Sequence, residues 1–196
     1  FYESASFGNH MIQSNGRANP FLAKISENGS WDWALGFEAA KLGTHASIAA
    51  GHDGGMIFGG IFGGIFEFGG KTIGGENHSG IFLGKLNTNL SWEWVIEVNG
   101  RISSVSDIAV DLNGDILLTG EFCGGGTCSV NVGSSTLTSV GGVDIYVGKV
   151  SPTGSWIWVL SEGSELDDFA RSIEVNSLGE VVILGGFCPT VWHTEV

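Results

Sequence analysis

The 196-residue chain carries 33 Gly, 3 Pro, 42% hydrophobic residues and only 15% charged ones, enough apolar surface for one or two folded domains, so disorder is excluded. Eight Lys and Arg stand against 21 Asp and Glu, a formal charge of −13, which removes the cationic surface that drives binding to nucleic acid or anionic membranes. The glycines lack the every-third spacing of collagen and lie among Ile, Val, Phe and Trp, a composition of many short strands joined by turns.

In chain order, residues 1–20 contain the pair Phe7-Gly8, which returns as Phe68-Gly69 and Val132-Gly133, each 17 residues before a lysine (Lys24, Lys85 and Lys149). That constant offset makes residues 1–20 the end of a repeat whose beginning is absent. Phe1 in place of Met fits a processed chain, a trimmed one or a piece of something longer. The first strand is expected at Phe21 to Ile25, equivalent to Phe82 to Leu86 and Tyr146 to Val150. A turn at Asn28-Gly29, matched by Thr153-Gly154, leads into Trp31 to Gly36, so these two strands form a hairpin.

Tryptophan pairs set the period. Trp31/Trp33, Trp92/Trp94 and Trp156/Trp158 hold six of the seven tryptophans, at steps of 61 and 64 residues. A third strand follows each pair, at Ser47 to Ala50, Asp107 to Val110 and Ser172 to Val175. A fourth comes after turns at Asp53-Gly54, Asn113-Gly114 and Leu178-Gly179, where glycine supplies the positive φ of a tight turn. The chain is therefore expected to be one all-β repeat domain over 1–196, with repeats of about 62 residues at 21–80, 81–144 and, incomplete, 145–196. Four short strands per repeat point to blades of a β-propeller; a β-trefoil or β-prism, each with three-fold internal symmetry, fits the count alone. The most apolar run, Gly54 to Phe66, spans 13 residues between Asp53 and Glu67, shorter than the roughly 20 of a spanning helix, so no membrane insertion is expected.

The strings Ile108-Ala109-Val110-Asp111, Asn113-Gly114-Asp115-Ile116-Leu117-Leu118-Thr119-Gly120 and Ile173-Glu174-Val175 followed by Gly179 to Phe187 resemble the seven-bladed β-propeller repeat family, often called SBBP repeats. So do Asp144 to Val150 with Trp156-Ile157-Trp158, and Asp167-Asp168-Phe169. The resemblance covers the chain, is strongest in repeats two and three, and thins in repeat one, where Gly-Gly-Ile-Phe runs stand. It implies a secreted or cell-surface propeller, commonly part of a larger protein, with no shared catalytic residues. Three blades are too few to close a ring, since propellers need roughly four to eight. The expected partner is a second copy, a dimer completing six blades, or the remainder of a longer repeat array; glycan or protein ligands fit the class.

The candidate sites each have a structural explanation beside the functional one. Two tryptophans two residues apart on a strand are expected on one face, where they could stack on sugar, although recurrence in every repeat favours packing between sheets. Trp192 lies outside the register as an interface anchor or a cover for a sheet edge. Lys24, Lys85 and Lys149 could ring a pore; snorkelling toward a carboxylate is the ordinary alternative. Asp111-Leu112-Asn113-Gly114-Asp115 alternates oxygens as a calcium loop does, but Gly51 to Gly55 and Asn176 to Glu180 do not keep them. Glu165, Asp167 and Asp168 form the densest acidic cluster, a glycosidase-like carboxylate set or a solvated loop.

Cys123 and Cys128 enclose Gly-Gly-Gly-Thr, a loop able to close a disulfide in an oxidising compartment, with Cys188 left over and no zinc spacing. His10, His45, His52, His78 and His193 keep no register, and no Gly-x-Ser-x-Gly nucleophile context accompanies them. Asn28, Asn77 and Asn89 begin N-x-Ser sequons. No catalytic, cofactor or metal residue is assigned. The expected function is a non-enzymatic binding or structural module; the alternatives are a lectin with one site per repeat and a carbohydrate-active enzyme using acidic loops.

Overall fold

The computed structural model describes residues 3–13, 21–37, 39–68 and 70–188. They form sixteen strands and no helix, an all-β chain. Two short strands, β1 (Ser4–Phe7) and β2 (His10–Gln13), make a hairpin. β3 (Phe21–Ile25) and β4 (Trp31–Gly36) make a second, at the bounds the repeat predicts. Next come β5 (Ala39–Ala50), β6 (Met56–Phe68), β7 (Lys71–Leu86) and β8 (Trp92–Asn99), an antiparallel meander in chain order.

The second meander runs β9 (Asp107–Val110), β10 (Ile116–Cys123), β13 (Val143–Val150), β14 (Trp156–Glu162), and the hairpin of β11 (Ser129–Val132) and β12 (Ser135–Thr138) is inserted between its middle strands. β15 (Asp168–Val175) and β16 (Val181–Phe187) pair only with each other among the described residues. Each four-stranded sheet thus joins the second half of one sequence repeat to the first half of the next, straddling the 80/81 and 144/145 boundaries.

The core forms where one sheet lies on the next. Leu22, Phe37 and Trp33 pack on Phe58, Phe66, Phe82 and Leu86 between the β3–β4 hairpin and the first meander. Ile81, Leu83 and Val98 meet Ile108, Ile116, Leu118 and Tyr146 between the two meanders. Leu117, Val147 and Trp158 meet Ile173, Val175 and Val181 at β15–β16. Each interface is closed by the same alternation of strand side chains, every second residue facing one neighbour.

The tryptophan pairs depart from the expectation that both rings share a face. Lys24 pairs with Trp33 and Ile25 with Trp31; the same shift of register falls between Lys85 and Leu86 and between Lys149 and Val150. One extra residue, Asp32, Glu93 or Ile157, is accommodated as a bulge, and a bulge reverses the alternation beyond it. The two rings therefore point to opposite faces. Trp92 packs toward the β3–β4 side and Trp94 toward the second meander, while Trp156 faces back and Trp158 forward. The second and third pairs thus each serve two interfaces, while in the first pair Trp33 joins the core and the exposed Trp31 meets the Phe7 ring.

Candidate functional site

Three equivalent turns gather at one end of the sheets, and their chemistry follows from their sequence. In each, the first residue's N–H donates to the fifth residue's carbonyl and the fourth is a glycine at φ near +80°: Gly51 to Gly55 with Gly54, Asp111 to Asp115 with Gly114, Asn176 to Glu180 with Gly179. Asp111 Oδ1 accepts the N–H groups of Asn113 and Asp115, both at 2.9 Å. Asn176 Oδ1 does the same for Leu178 and Glu180. In the first turn glycine replaces that residue, and Asp53 Oδ1 instead accepts from Gly55 at 3.0 Å.

Lys85 and Lys149 reach the first two of these turns, whereas Lys24, with no inner strand beside β3, does not. Lys149 Nζ lies 2.8 Å from Asp111 and 2.9 Å from Asp115. Lys85 pairs with Asp53 at 2.5 Å and with Glu93 at 3.0 Å. Lys24 pairs with Asp32 at 3.3 Å. The hydrogen bonds from Asp111 and Asp115 hold the Lys149 pKa above its ordinary value. Burial of Lys85 works to lower its pKa, and the bonds to Asp53 and Glu93 outweigh it, for a net rise. The same contacts lower Asp53, chiefly through Lys85. Asp111 is lowered too: burial opposes, but Lys149 and the turn N–H groups prevail. Each lysine thus has a carboxylate, and in the calcium-like turn both Asp111 carboxylate oxygens and Asp115 Oδ2 are committed to the turn and to Lys149.

A cleft of about 230 Å³ lies between the first two turns, lined by His52, Asp53, Lys85, Asn113 and Pro152. His52 Nε2 is 2.8 Å from the Asp111 carbonyl. At the other end, a shallower cleft of about 490 Å³ is lined by Asn77, His78, Asn99, Arg101 and Cys123, with the Arg101 guanidinium donating to the Gly124 carbonyl. The Cys123–Cys128 disulfide closes this end, and Cys188 is a free, exposed thiol.

The acidic cluster is spent on loop structure. Asp167 Oδ1 accepts from the Val143 N–H at 2.8 Å and Asp168 Oδ2 from the Ser164 N–H at 2.6 Å, while Glu165 is exposed. Sequence reasoning missed Asp107, which links three strands: Oδ1 accepts from Ser47 on β5, and Oδ2 accepts the Ser172 hydroxyl and the Ile173 N–H on β15. Burial works to raise its pKa, and the bonds from Ser172, Ile173, Ile108 and Ser47 hold it below the ordinary carboxylate value. The signal available in sequence was a serine recurring at 47 and 172 with an aspartate between them in register at 107. Two buried carboxylates, Glu121 and Asp144, also escaped notice; Ser104 hydrogen-bonds the first and the Val140 N–H the second. Among the described residues no group of three or more His, Cys, Asp or Glu could hold a metal. Trp192 and His193 lie outside the described residues. The chain matches no model of a known protein family, and comparison with curated proteins finds no match.

Proposed function

We propose that the chain is a non-enzymatic, propeller-type structural or binding module of a secreted or cell-surface protein. The observation that carries this reading is the commitment of its recurrent polar groups to architecture: Asp53, Asp111 and Asp115 hold turns and repeated lysines, and Asp107 ties strands. A retaining or inverting glycosidase needs two carboxylates facing each other across an open substrate cleft, and the paired acids here face lysines and backbone N–H groups. The two meanders, stacked with the half-sheets β3–β4 and β15–β16 on either side, support the propeller reading, as does the resemblance to propeller repeats. The Cys123–Cys128 disulfide supports an oxidising compartment. Five of the six recurring tryptophans, all but Trp31, are set between sheets, which argues against a sugar platform in each repeat.

The test is turnover of a panel of chromogenic glycosides, together with a glycan array probed with and without calcium. No hydrolysis and no array binding is the expected result for a structural module. Hydrolysis lost on substituting any of Glu165, Asp167 or Asp168 would overturn the reading, and calcium-dependent sugar binding would replace it with a lectin.

A further inference from the structure

The two half-sheets at the ends of the stack are complementary, and we infer that β16 of one molecule takes β3 of a second copy as its missing neighbour. This names the partner of the module proposed above and rests on its repeat architecture, not on its lack of enzymatic activity. The inference starts from register. Each complete sheet sets a residue six beyond the start of the inner turn opposite the repeated lysine: Ile57 opposite Lys85, and Leu117 opposite Lys149. The same position in the third turn is Val182, whose sheet ends at β16, and the repeated lysine without an inner neighbour is Lys24 on β3. Continuing the register places Val181 opposite Ile25, Val182 opposite Lys24 and Ile183 opposite Ala23.

Burial agrees. β10, with a strand on both edges, is buried along its whole length, whereas the equivalent β16 is exposed at nearly every residue, with Leu184 at 66% and Phe187 at 75%. An open apolar edge of this kind is a template for another strand. The faces agree as well. Ile81, Leu83, Trp94, Ile96 and Val98 of the first meander pack on the second. Of their equivalents 64 residues on, Ile145, Val147, Trp158 and Leu160 line a largely apolar groove of about 270 Å³ bounded by Val181 and Ile183, with Glu162 at the place of Val98, and Leu160 is 60% exposed.

The opposite surface lies at the other end of the chain. Phe82, Leu86 and Trp92 pack toward β3–β4, and their equivalents 61 residues earlier, Phe21, Ile25 and Trp31, are exposed large hydrophobics, with the Phe7 ring of β1 against Phe21 and Trp31. Charge follows the same rule: Lys85 and Lys149 each meet a carboxylate from the inner turn, and the turn facing Lys24 in this register offers Glu180. Within one molecule β3–β4 and β15–β16 pack on different meanders, with both meanders between them, so the two edges do not meet each other, and a second copy offers both complements at once. Two reciprocal junctions complete two further four-stranded sheets, six in the pair, and leave no half-sheet unpaired.

Light scattering on the unmodified chain should give twice the 20.5 kDa monomer mass. In a Cys188→Ser background, Ala23→Cys and Ile183→Cys chains are purified separately, mixed and mildly oxidised. The mixture should cross-link into a dimer that neither variant forms alone. Lys24→Glu should weaken association about 3-fold, and adding Glu180→Lys to the same chain should restore it, the scale of an exposed ion pair. A monomer at high micromolar concentration, open-ended multimers, or a disulfide forming within the doubly substituted chain while mixed single variants stay unlinked would each overturn the inference. Glycoside turnover would sink the functional reading and leave this junction standing.

Discussion

Asp107 Oδ2 accepts a 2.7 Å hydrogen bond from the Ser172 hydroxyl, 65 residues away in the chain, and the Ile173 N–H adds a second at 2.9 Å. With Ser47 on its other oxygen, this one carboxylate joins the inner strands of three successive sheets. Those strands, β5, β9 and β15, otherwise lie side by side with no ladder between them.

Asp107→Ala should therefore destabilise the fold by about 2–3 kcal/mol, the range for hydrogen bonds to a charged, partly buried group. Denaturant unfolding followed by tryptophan fluorescence measures it. Asp107→Asn, which keeps an acceptor but not the charge, should cost less. Equal stability of the alanine variant and the parent would show that the three strands hold together without this tie.

The four strands of each repeat were legible because glycine, tryptophan and lysine recur at fixed offsets, and β3 and β4 fall at the expected bounds. The hairpins β1–β2 and β11–β12, and the extension of β5, β6 and β7 to 12, 13 and 16 residues, were not. The facing of the tryptophans was not. Simple alternation assigns Trp92 and Trp94 to one side, and the bulge at Glu93 that separates them has no marker such as Gly or Pro. The lysines' carboxylate partners were legible as a type of interaction, yet their identities depend on which strand lies beside β7 or β13, a long-range fact. Asp107 was missed for the same reason: its donors come from residues 47, 172 and 173, and only the serines in register at 47 and 172, nothing local to residue 107, point to them.

Leu90 occupies the turn position that Gly29 and Gly154 fill in the other copies, at φ +61° against +83° and +82°. A branched side chain pays about 1–2 kcal/mol in this left-handed region. Leu90→Gly should raise stability by about 1 kcal/mol, less than the full relief because glycine also loosens the unfolded chain. Thermal unfolding checks it, and an unchanged or lower Tm would mean that Leu90 makes contacts worth more than its backbone strain.

Stability should depend on pH with a sign fixed by the lowered carboxylates. Asp107 and Asp111 have folded pKa values below the ordinary 3.8, so their contribution is complete above that value and is lost as pH falls through it toward the folded values. Lys149, raised above 10.5, contributes fully below 10.5 and loses its contribution as pH rises through its folded pKa. Urea midpoints should stay level between about pH 5 and 9 and fall on both sides, with acid loss reduced in an Asp107→Asn chain. A steady decline from neutral pH downward would assign the dependence to other groups.

The Cys123–Cys128 bridge spans a separation of only five residues, from the end of β10 to the loop before β11. Closing so short a loop constrains the unfolded chain by about 2 kcal/mol in the entropy model. A Cys123→Ser, Cys128→Ser chain should unfold at lower denaturant by at least that amount, because Cys123 belongs to the core between the meanders and Cys128 packs against it, while keeping the backbone-paired β10–β13 ladder. Loss of folding altogether would show that the bridge holds the inserted β11–β12 hairpin in place rather than trimming loop entropy.

Gly148 lies under Trp156, where an added Cβ would meet the ring within van der Waals distance, and Gly84 lies under Trp92 in the same way. Glycine at these two positions is a requirement of close approach. The equivalent residue in the first hairpin is Ala23, and its partner Trp31 is exposed to 37%, so there the ring has room to give. Gly148→Ala should therefore cost about 1–3 kcal/mol through overpacking, whereas Ala23→Gly should cost only the fraction of a kcal/mol lost to strand entropy. The comparison isolates packing from backbone preference, because both sites lie on equivalent strands next to the same repeated lysine. Equal effects from the two substitutions would place the cost in the strand itself and remove the tryptophan from the account.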